Sequence, residues 1–380
     1  MKNTLLSIIS FLIYFVVNFL FLTKYGIRQS FIPLSVLCVL YVGFNFTIFY
    51  FRKNNFLNQT INNKTIYIFT GLISIVYLVF CHLFNDPYKL NIDRWQTLNY
   101  SLEYWLQGEF FYDEINFMGN KSSYLPGQLL LALPFYLLGN VGYLQLASFL
   151  LFSYALTFQF KNNYLRLIGI FMFAVSLSYI YEVICKSDFI SSFVIVAVFI
   201  VLWHKRYKDN YFQNPYLLGL ILGILFLTRS VVIIPLIIFL LKPFLRTDIR
   251  SKVKVIVSFA LTSVILLATV VFPAEDLDYI LKNNPLTLQG QSNKYIMLFF
   301  MILAVLASFY VRKIEYVFYF SSIIIFLVMV SFVTEKYFLL GYDYQNNFFS
   351  TTYLAACLPF AIMAYCFSVE KEIKSSNKIN

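Results

Sequence analysis

Charge is scarce in this sequence. Only 12% of its 380 residues are Asp, Glu, Lys or Arg, about half the share that a soluble domain carries. So few charges cannot cover a water-facing surface, which excludes a freely soluble globule. Histidine is scarcer still, because His82 and His204 are too few and too far apart for a zinc motif. The five cysteines, Cys38, Cys81, Cys185, Cys357 and Cys366, are odd in number and lie in or beside apolar runs. They read as small hydrophobes, not as a disulfide framework or a metal set. No glycine-rich phosphate loop and no G-x-S-x-G elbow occurs, so the sequence carries neither of these nucleotide and hydrolase signatures.

What the chain does have is apolar length. Hydrophobic residues make up 60% of it, with 44 Phe and 30 Tyr, and the mean hydropathy is +0.73. Runs long enough to cross a hydrocarbon core predict an all-α polytopic membrane protein of about 12 transmembrane helices. The expected spans are Thr4–Thr23, Phe31–Phe51, Ile66–Phe84, Tyr143–Phe160, Leu165–Tyr181, Phe189–Trp203, a broken pair within Tyr216–Leu241, Val255–Phe272, Tyr295–Val311, Tyr316–Val333 and Phe348–Phe367. The runs are too long for the alternating strands of a membrane barrel. The first run has no small-residue cleavage site after it, so it reads as a retained helix and not as a signal peptide. No linker divides the chain, which reads as one membrane domain over 1–380.

The surplus of Lys and Arg, a net charge of +11, is explained by sidedness and not by nucleic acid. With a cytoplasmic amino terminus, 19 of the 29 basic residues and only 5 of the 18 acidic ones fall in cytoplasmic segments, as the positive-inside rule requires. Both termini are then cytoplasmic. The long segment 85–140 lies outside, followed by outer loops at Pro273–Asn293 and Thr334–Asn347. The abundance of Asn, Lys, Ile, Phe and Tyr points to an AT-rich genome, and so to a bacterial cytoplasmic (inner) membrane.

The first outer loop holds the strongest functional signal. Asp93-Arg94-Trp95-Gln96 opens a stretch in which Trp95, Leu98, Leu102, Trp105 and Leu106 recur at helical spacing, and Gly108 supplies a stop. Such a Trp- and Tyr-rich helix suits the membrane interface. Pro126–Leu138 is apolar but too short to cross, and predicts a second interfacial or re-entrant helix.

The ordered pattern resembles the GT-C superfamily of membrane glycosyltransferases, in particular the polyprenyl-phosphate-sugar-dependent protein O-mannosyltransferases and aminoarabinose transferases. It consists of the outer-loop Asp93, Tyr124-Leu125-Pro126-Gly127 opening the second short helix, Lys161 and Arg166 closing the next span, Lys186-Ser187-Asp188 opening a later one, and Gly219, Gly223 and Leu227-Thr228-Arg229 in a glycine-bearing span. The match covers roughly 66–245, with two additional spans in 1–65 and further spans in 246–380. The resemblance implies an inverting glycosyltransferase on the extracytoplasmic side. Its donor would be a polyprenyl-phosphate-linked sugar, and its acceptor a glycan, lipid or protein. Asp93 would be the general base that takes the acceptor proton, and Arg94, Lys121 and Arg229 would hold the donor phosphate. Tyr124, Pro126, Lys186 and Asp188 would be further site residues. Asp93 stands alone before an arginine, in place of the paired acids of several GT-C families, so a divalent cation stays an open alternative.

Each of these residues also has a plainer reading. Asp93 with Gln96 three positions on has the spacing of a capping box. Asp188 at a helix start suits the helix dipole. Arg94 and Lys121 could snorkel to headgroups. Arg229 interrupts an apolar stretch, where a charge is expensive and marks a functional site by default. His82 is spaced to pair with Asp86, and Tyr342-Asp343-Tyr344 is placed to line an acceptor cleft. Two other functional classes fit a many-span protein with an outer loop. One is a polysaccharide polymerase or ligase, and the other is a non-enzymatic flippase or transporter of lipid-linked glycans, which would carry broken helices in corresponding halves.

Overall fold

The computed structural model describes residues 2–53, 61–289, 292–340 and 348–376; the Tyr342-Asp343-Tyr344 segment lies outside them. Among the described residues there are helices and turns but no strand, apart from one isolated bridge between Ile115 and Lys121. The helices are α1 (Lys2–Gly26), α2 (Leu34–Tyr50), α3 (Asn63–Leu83), α4 (Pro87–Leu90), α5 (Arg94–Gln107), α6 (Pro126–Leu137), α7 (Tyr143–Gln159), α8 (Asn163–Ala174), α9 (Leu177–Ile184), α10 (Phe189–Tyr207), α11 (Pro215–Phe226), α12 (Ile233–Arg246), α13 (Ile249–Val271), α14 (Leu277–Lys282), α15 (Lys294–Tyr310), α16 (Ile314–Leu340) and α17 (Leu358–Ser376).

Among the described residues, six helices are long and apolar enough to cross a membrane, or seven if the bent α8–α9 pair is one span. The sequence led to an expectation of about twelve crossings. The difference lies in length: α2, α7, α11 and α15 fall within expected spans but hold only 12–17 residues, and a 12-residue helix rises only about 18 Å. The stretch Tyr216–Leu241 is broken as expected, between Phe226 and Ile233, by a short 3-10 turn at Ser230–Val232.

The chain forms two compact units. The first comprises Met1–Ile75, Phe149–Tyr181 and Gly290–Asn380. In it α17 is buried along most of its length and packs on α1. The α8–α9 pair bends by 56°, and a bend frees backbone and hydroxyl groups that apolar surroundings cannot satisfy. Asn18 on α1 answers that need: its Oδ1 accepts from Ser176 Oγ at 2.8 Å, Ser178 N at 3.2 Å and Ser178 Oγ at 3.1 Å.

The second unit comprises Val76–Ser148 and Glu182–Gln289 and holds Asp93, Arg94, Lys121, Tyr124, Pro126, Lys186, Asp188 and Arg229. Its helices approach closely where glycine permits. A Cβ on Gly219 would stand 2.5 Å from Val255 O, which seats α11 against α13. A Cβ on Gly127 would stand 2.3 Å from Ile224 O, which seats the start of α6 against the end of α11. Small residues at such crossings let backbones meet. Helix α5 lies on α6 through Leu98, Leu102, Leu129 and Ala132, all fully buried. The apolar stripe that suggested an interfacial helix is thus covered by protein, with Leu106 the one member that stays exposed, at 51%. Trp105 is anchored by Nε1, which donates to Thr269 Oγ1 at 2.9 Å.

Candidate functional site

Asp93 occupies the N-cap position of α5, but its carboxylate caps nothing. Nor does Gln96 complete a capping box: its amide donates to Tyr88 Oη at 3.1 Å, and its carbonyl accepts from Phe117 N at 3.2 Å. Instead, Asp93 Oδ2 accepts from Asn116 Nδ2 at 3.0 Å and Asn120 Nδ2 at 2.8 Å. Both asparagines come from the tight turn between Ile115 and Lys121. Asn116 N donates to Asn120 O, and Asn116 Oδ1 accepts from the backbone of Met118 and Asn120. The turn therefore orients a half-buried carboxylate, and its Oδ1 accepts no hydrogen bond from the described residues.

The next residue, Arg94, points a different way. Its Nη1 donates to Glu182 Oε1 at 2.8 Å and Ser187 Oγ at 3.1 Å. Glu182 Oε2 also accepts from Ile190 N at the start of α10. One turn on, Asp188 Oδ2 accepts from Arg229 Nη2 at 2.8 Å, with both side chains buried. Asp188 has no side-chain cap bond, so the ion pair, and not the helix dipole, occupies it. Arg229 sits at the break between α11 and α12, its guanidinium 5.5 Å from the Tyr124 ring and 5.4 Å from the Phe189 ring. Pairing with Asp188 offsets much of the penalty of placing a cation there.

Tyr124 joins the two charge pairs. Its Oη donates to Arg94 O at 3.0 Å while its ring faces Arg229. Burial, reinforced by Asp188, raises the phenol well above its usual range, so it stays a neutral donor. Pro126 opens α6 as its first residue, a position where a missing N–H costs nothing. Gln289 fastens the loop behind it, donating to Ser123 O at 2.6 Å and accepting from Ser230 N at 3.1 Å.

Arg94, Tyr124, Asp188 and Arg229 are therefore drawn together, with Asp93 next to Arg94 in the chain but held by its own turn, whereas two predicted residues point away. Lys121 donates to Asn283 Oδ1 at 2.7 Å. Lys186 lays its ammonium over the Trp95 ring, 3.3 Å from the centroid, where burial lowers its pKa to about 8. His82 shares a hydrogen bond with Tyr143 Oη at 3.0 Å, while Asp86 caps α4. The sequence reading missed Asn116, Asn120 and Gln289. The Asn116–Asn120 turn does carry a turn signal in Gly119-Asn120, but nothing in the sequence aims it at Asp93. Among the described residues, no three His, Cys, Asp or Glu side chains are grouped to hold a metal ion.

No protein-family model, curated protein or solved structure matches the chain.

Proposed function

We propose that the chain is a membrane-embedded glycosyltransferase of GT-C type, drawing a sugar from a polyprenyl-phosphate donor. The observation that carries this reading is the Asp93 carboxylate. Two amides hold Oδ2 while Oδ1 stays open to an acceptor hydroxyl, an arrangement that suits a general base. In the proposed step the acceptor oxygen attacks the anomeric carbon from the face opposite the phosphate. Its proton passes to Asp93 Oδ1, and the bond from carbon to phosphate oxygen breaks, leaving polyprenyl phosphate with the electron pair.

Cation supply is divided. Arg94 and Arg229 already hold Glu182 and Asp188, so a phosphate would have to compete with a carboxylate for either. Lys121, tied only to a neutral amide, exchanges partners at lower cost. A wholly apolar hollow of about 240 Å³ between α11, α12 and α13, lined by Phe226, Leu240 and Phe259 among others, suits part of a prenyl chain. In this reading the protein is a multi-pass protein of a bacterial cytoplasmic membrane, with cytoplasmic termini. The acceptor is a glycan, lipid or protein on the outer side.

The test incubates purified protein in detergent with a synthetic polyprenyl-phosphate hexose and a mixed glycan and glycolipid acceptor pool, and follows release of polyprenyl phosphate. Release that is lost in Asp93→Asn while the variant keeps its thermal stability supports the reading. Release at the native rate from that variant removes Asp93 from the chemistry.

One observation favours a transporter. Helical stretches are broken in two places, at α8–α9 and at α11–α12, and the second break carries the buried Arg229–Asp188 pair. Transporters place charged sites at such breaks. Movement of the lipid-linked sugar across proteoliposomes without any release of polyprenyl phosphate would favour that reading over transfer.

A further inference from the structure

Within the second unit, the ends of four helices share one backbone motif. A residue at or just beyond the helix end turns left-handed and donates to the carbonyl three residues back, while the next N–H reaches the carbonyl one residue before that. Asn91, Gly108 and Gly139 fill the left-handed position after α4, α5 and α6. These are the residue types that tolerate it. After α9 the position belongs to Lys186, at φ 49, with Lys186 N donating to Val183 O and Ser187 N to Glu182 O. A lysine there is strained where glycine would not be, and strain of this kind concentrates at functional sites.

The strained residue delivers its side chain into a cavity of about 660 Å³, a size suited to a small ligand. Lys186 is buried, and its ammonium rests on Trp95. It makes no hydrogen bond or ion pair with the described residues. No Asp or Glu lines the cavity, so the positive charge is uncompensated. Asn85 and Asn99 add carboxamides without hydrogen-bond partners among the described residues. Gly142 makes room for the lysine stem, since a Cβ there would stand 3.0 Å from Lys186 Cγ. Leu137, 69% exposed, forms part of the rim. A lone ammonium, neutral amide donors and an apolar rim match a phosphate group, for which lysine acts as a point-charge partner.

We propose that this cavity binds a phosphate-bearing ligand, with Lys186 as its counter-charge. The proposal does not depend on the transferase reading, because Asp93 and Arg229 do not line the cavity.

The test uses the full chain with Trp105→Phe and Trp203→Phe, leaving Trp95 as the sole indole. Its fluorescence is titrated with inorganic phosphate in neutral detergent, and is compared in nanodiscs of phosphatidylcholine with and without phosphatidylglycerol. Saturable change with inorganic phosphate identifies a free phosphate, and change only with phosphatidylglycerol identifies a lipid headgroup. Lys186→Gly should keep or raise thermal stability, since it relieves the backbone, and should weaken the response roughly tenfold or more, as expected for a lost charged hydrogen bond. Lys186→Arg should retain most of it. No saturable response to either probe, or an undiminished one in a folded Lys186→Gly protein, overturns the proposal.

Discussion

Asp188 and Arg229 stand 41 residues apart in sequence and meet at 2.8 Å, both side chains buried. The pair ties the start of α10 to the break between α11 and α12, so it fixes where the helical break lies. Removing one partner leaves a buried charge alone, which costs about 3–5 kcal/mol, whereas replacing both by apolar residues of similar size is often neutral. Arg229→Met and Asp188→Leu should each lower the thermal midpoint in detergent sharply, and the double variant should recover much of the loss. Additive losses would mean that the contact contributes little.

The Asp93 turn gives a graded series. Loss of a positioned general base costs typically 10²–10⁴-fold in rate, so Asp93→Asn should reduce sugar transfer by about that range. Asn120→Ala leaves the carboxylate in place but removes one of the two amides that orient it. It should reduce turnover by a smaller factor, with little change in donor KM. Steady-state kinetics on the two variants separates the roles. Equal losses in both would indicate that the turn collapses without Asn120.

The sequence revealed much of this arrangement, but not its wiring. Arg229 stood out because a charge within an apolar stretch is costly, and the break does fall there. Asp93, Tyr124 and Asp188 were singled out as an ordered set, and the fold places Tyr124 against Arg94 and Arg229, the latter paired with Asp188. Their hydrogen-bond partners were not legible. Helical spacing gives Asp93 and Gln96 the look of a capping box, and only tertiary folding brings Asn116 and Asn120 to the carboxylate. Likewise, α5 has the face of an interfacial helix, and periodicity cannot distinguish lipid from α6 as what covers Leu98 and Leu102. The number of long helices falls short of the expected crossings for a related reason. Hydropathy registers one apolar run over Tyr216–Leu241, but α11 ends after 12 residues at a local break that mean hydropathy does not register.

The seat of α6 on α11 depends on a missing side chain. A methyl group on Gly127 would meet Ile224 O at 2.3 Å and Leu227 C at 2.7 Å. These are backbone atoms and cannot rotate away. Overpacking of this kind costs typically about 1–3 kcal/mol. Gly127→Ala should therefore lower the thermal midpoint, and it should disturb the Tyr124–Arg229 contact three residues away. Gly108→Ala, where a Cβ would meet open space, tests left-handed strain alone and should cost less. A larger loss at Gly108 would contradict the packing argument.

Lys186 makes stability depend on pH in a stated direction. Its ordinary pKa of 10.5 falls to about 8 in the fold because burial disfavours the charged form. Between about pH 8 and pH 10.5 the unfolded chain therefore holds a proton that the folded chain has released. Stability rises with pH wherever the unfolded state binds more protons. The charge thus weighs against the fold below pH 8, and that burden lifts as pH climbs through the window. Lys186→Met has no such proton to lose, and its hydrophobic stem still covers Trp95. The thermal midpoint of the wild type minus that of Lys186→Met, measured in one detergent from pH 7 to pH 10, should grow more positive with pH. A flat difference would mean that the lysine keeps its proton at the Trp95 face, held there by the ring or by a bound anion. Repeating the series with added inorganic phosphate separates these two causes, because an anion that favours the charged lysine would move the rise to higher pH, whereas the ring would not respond to phosphate.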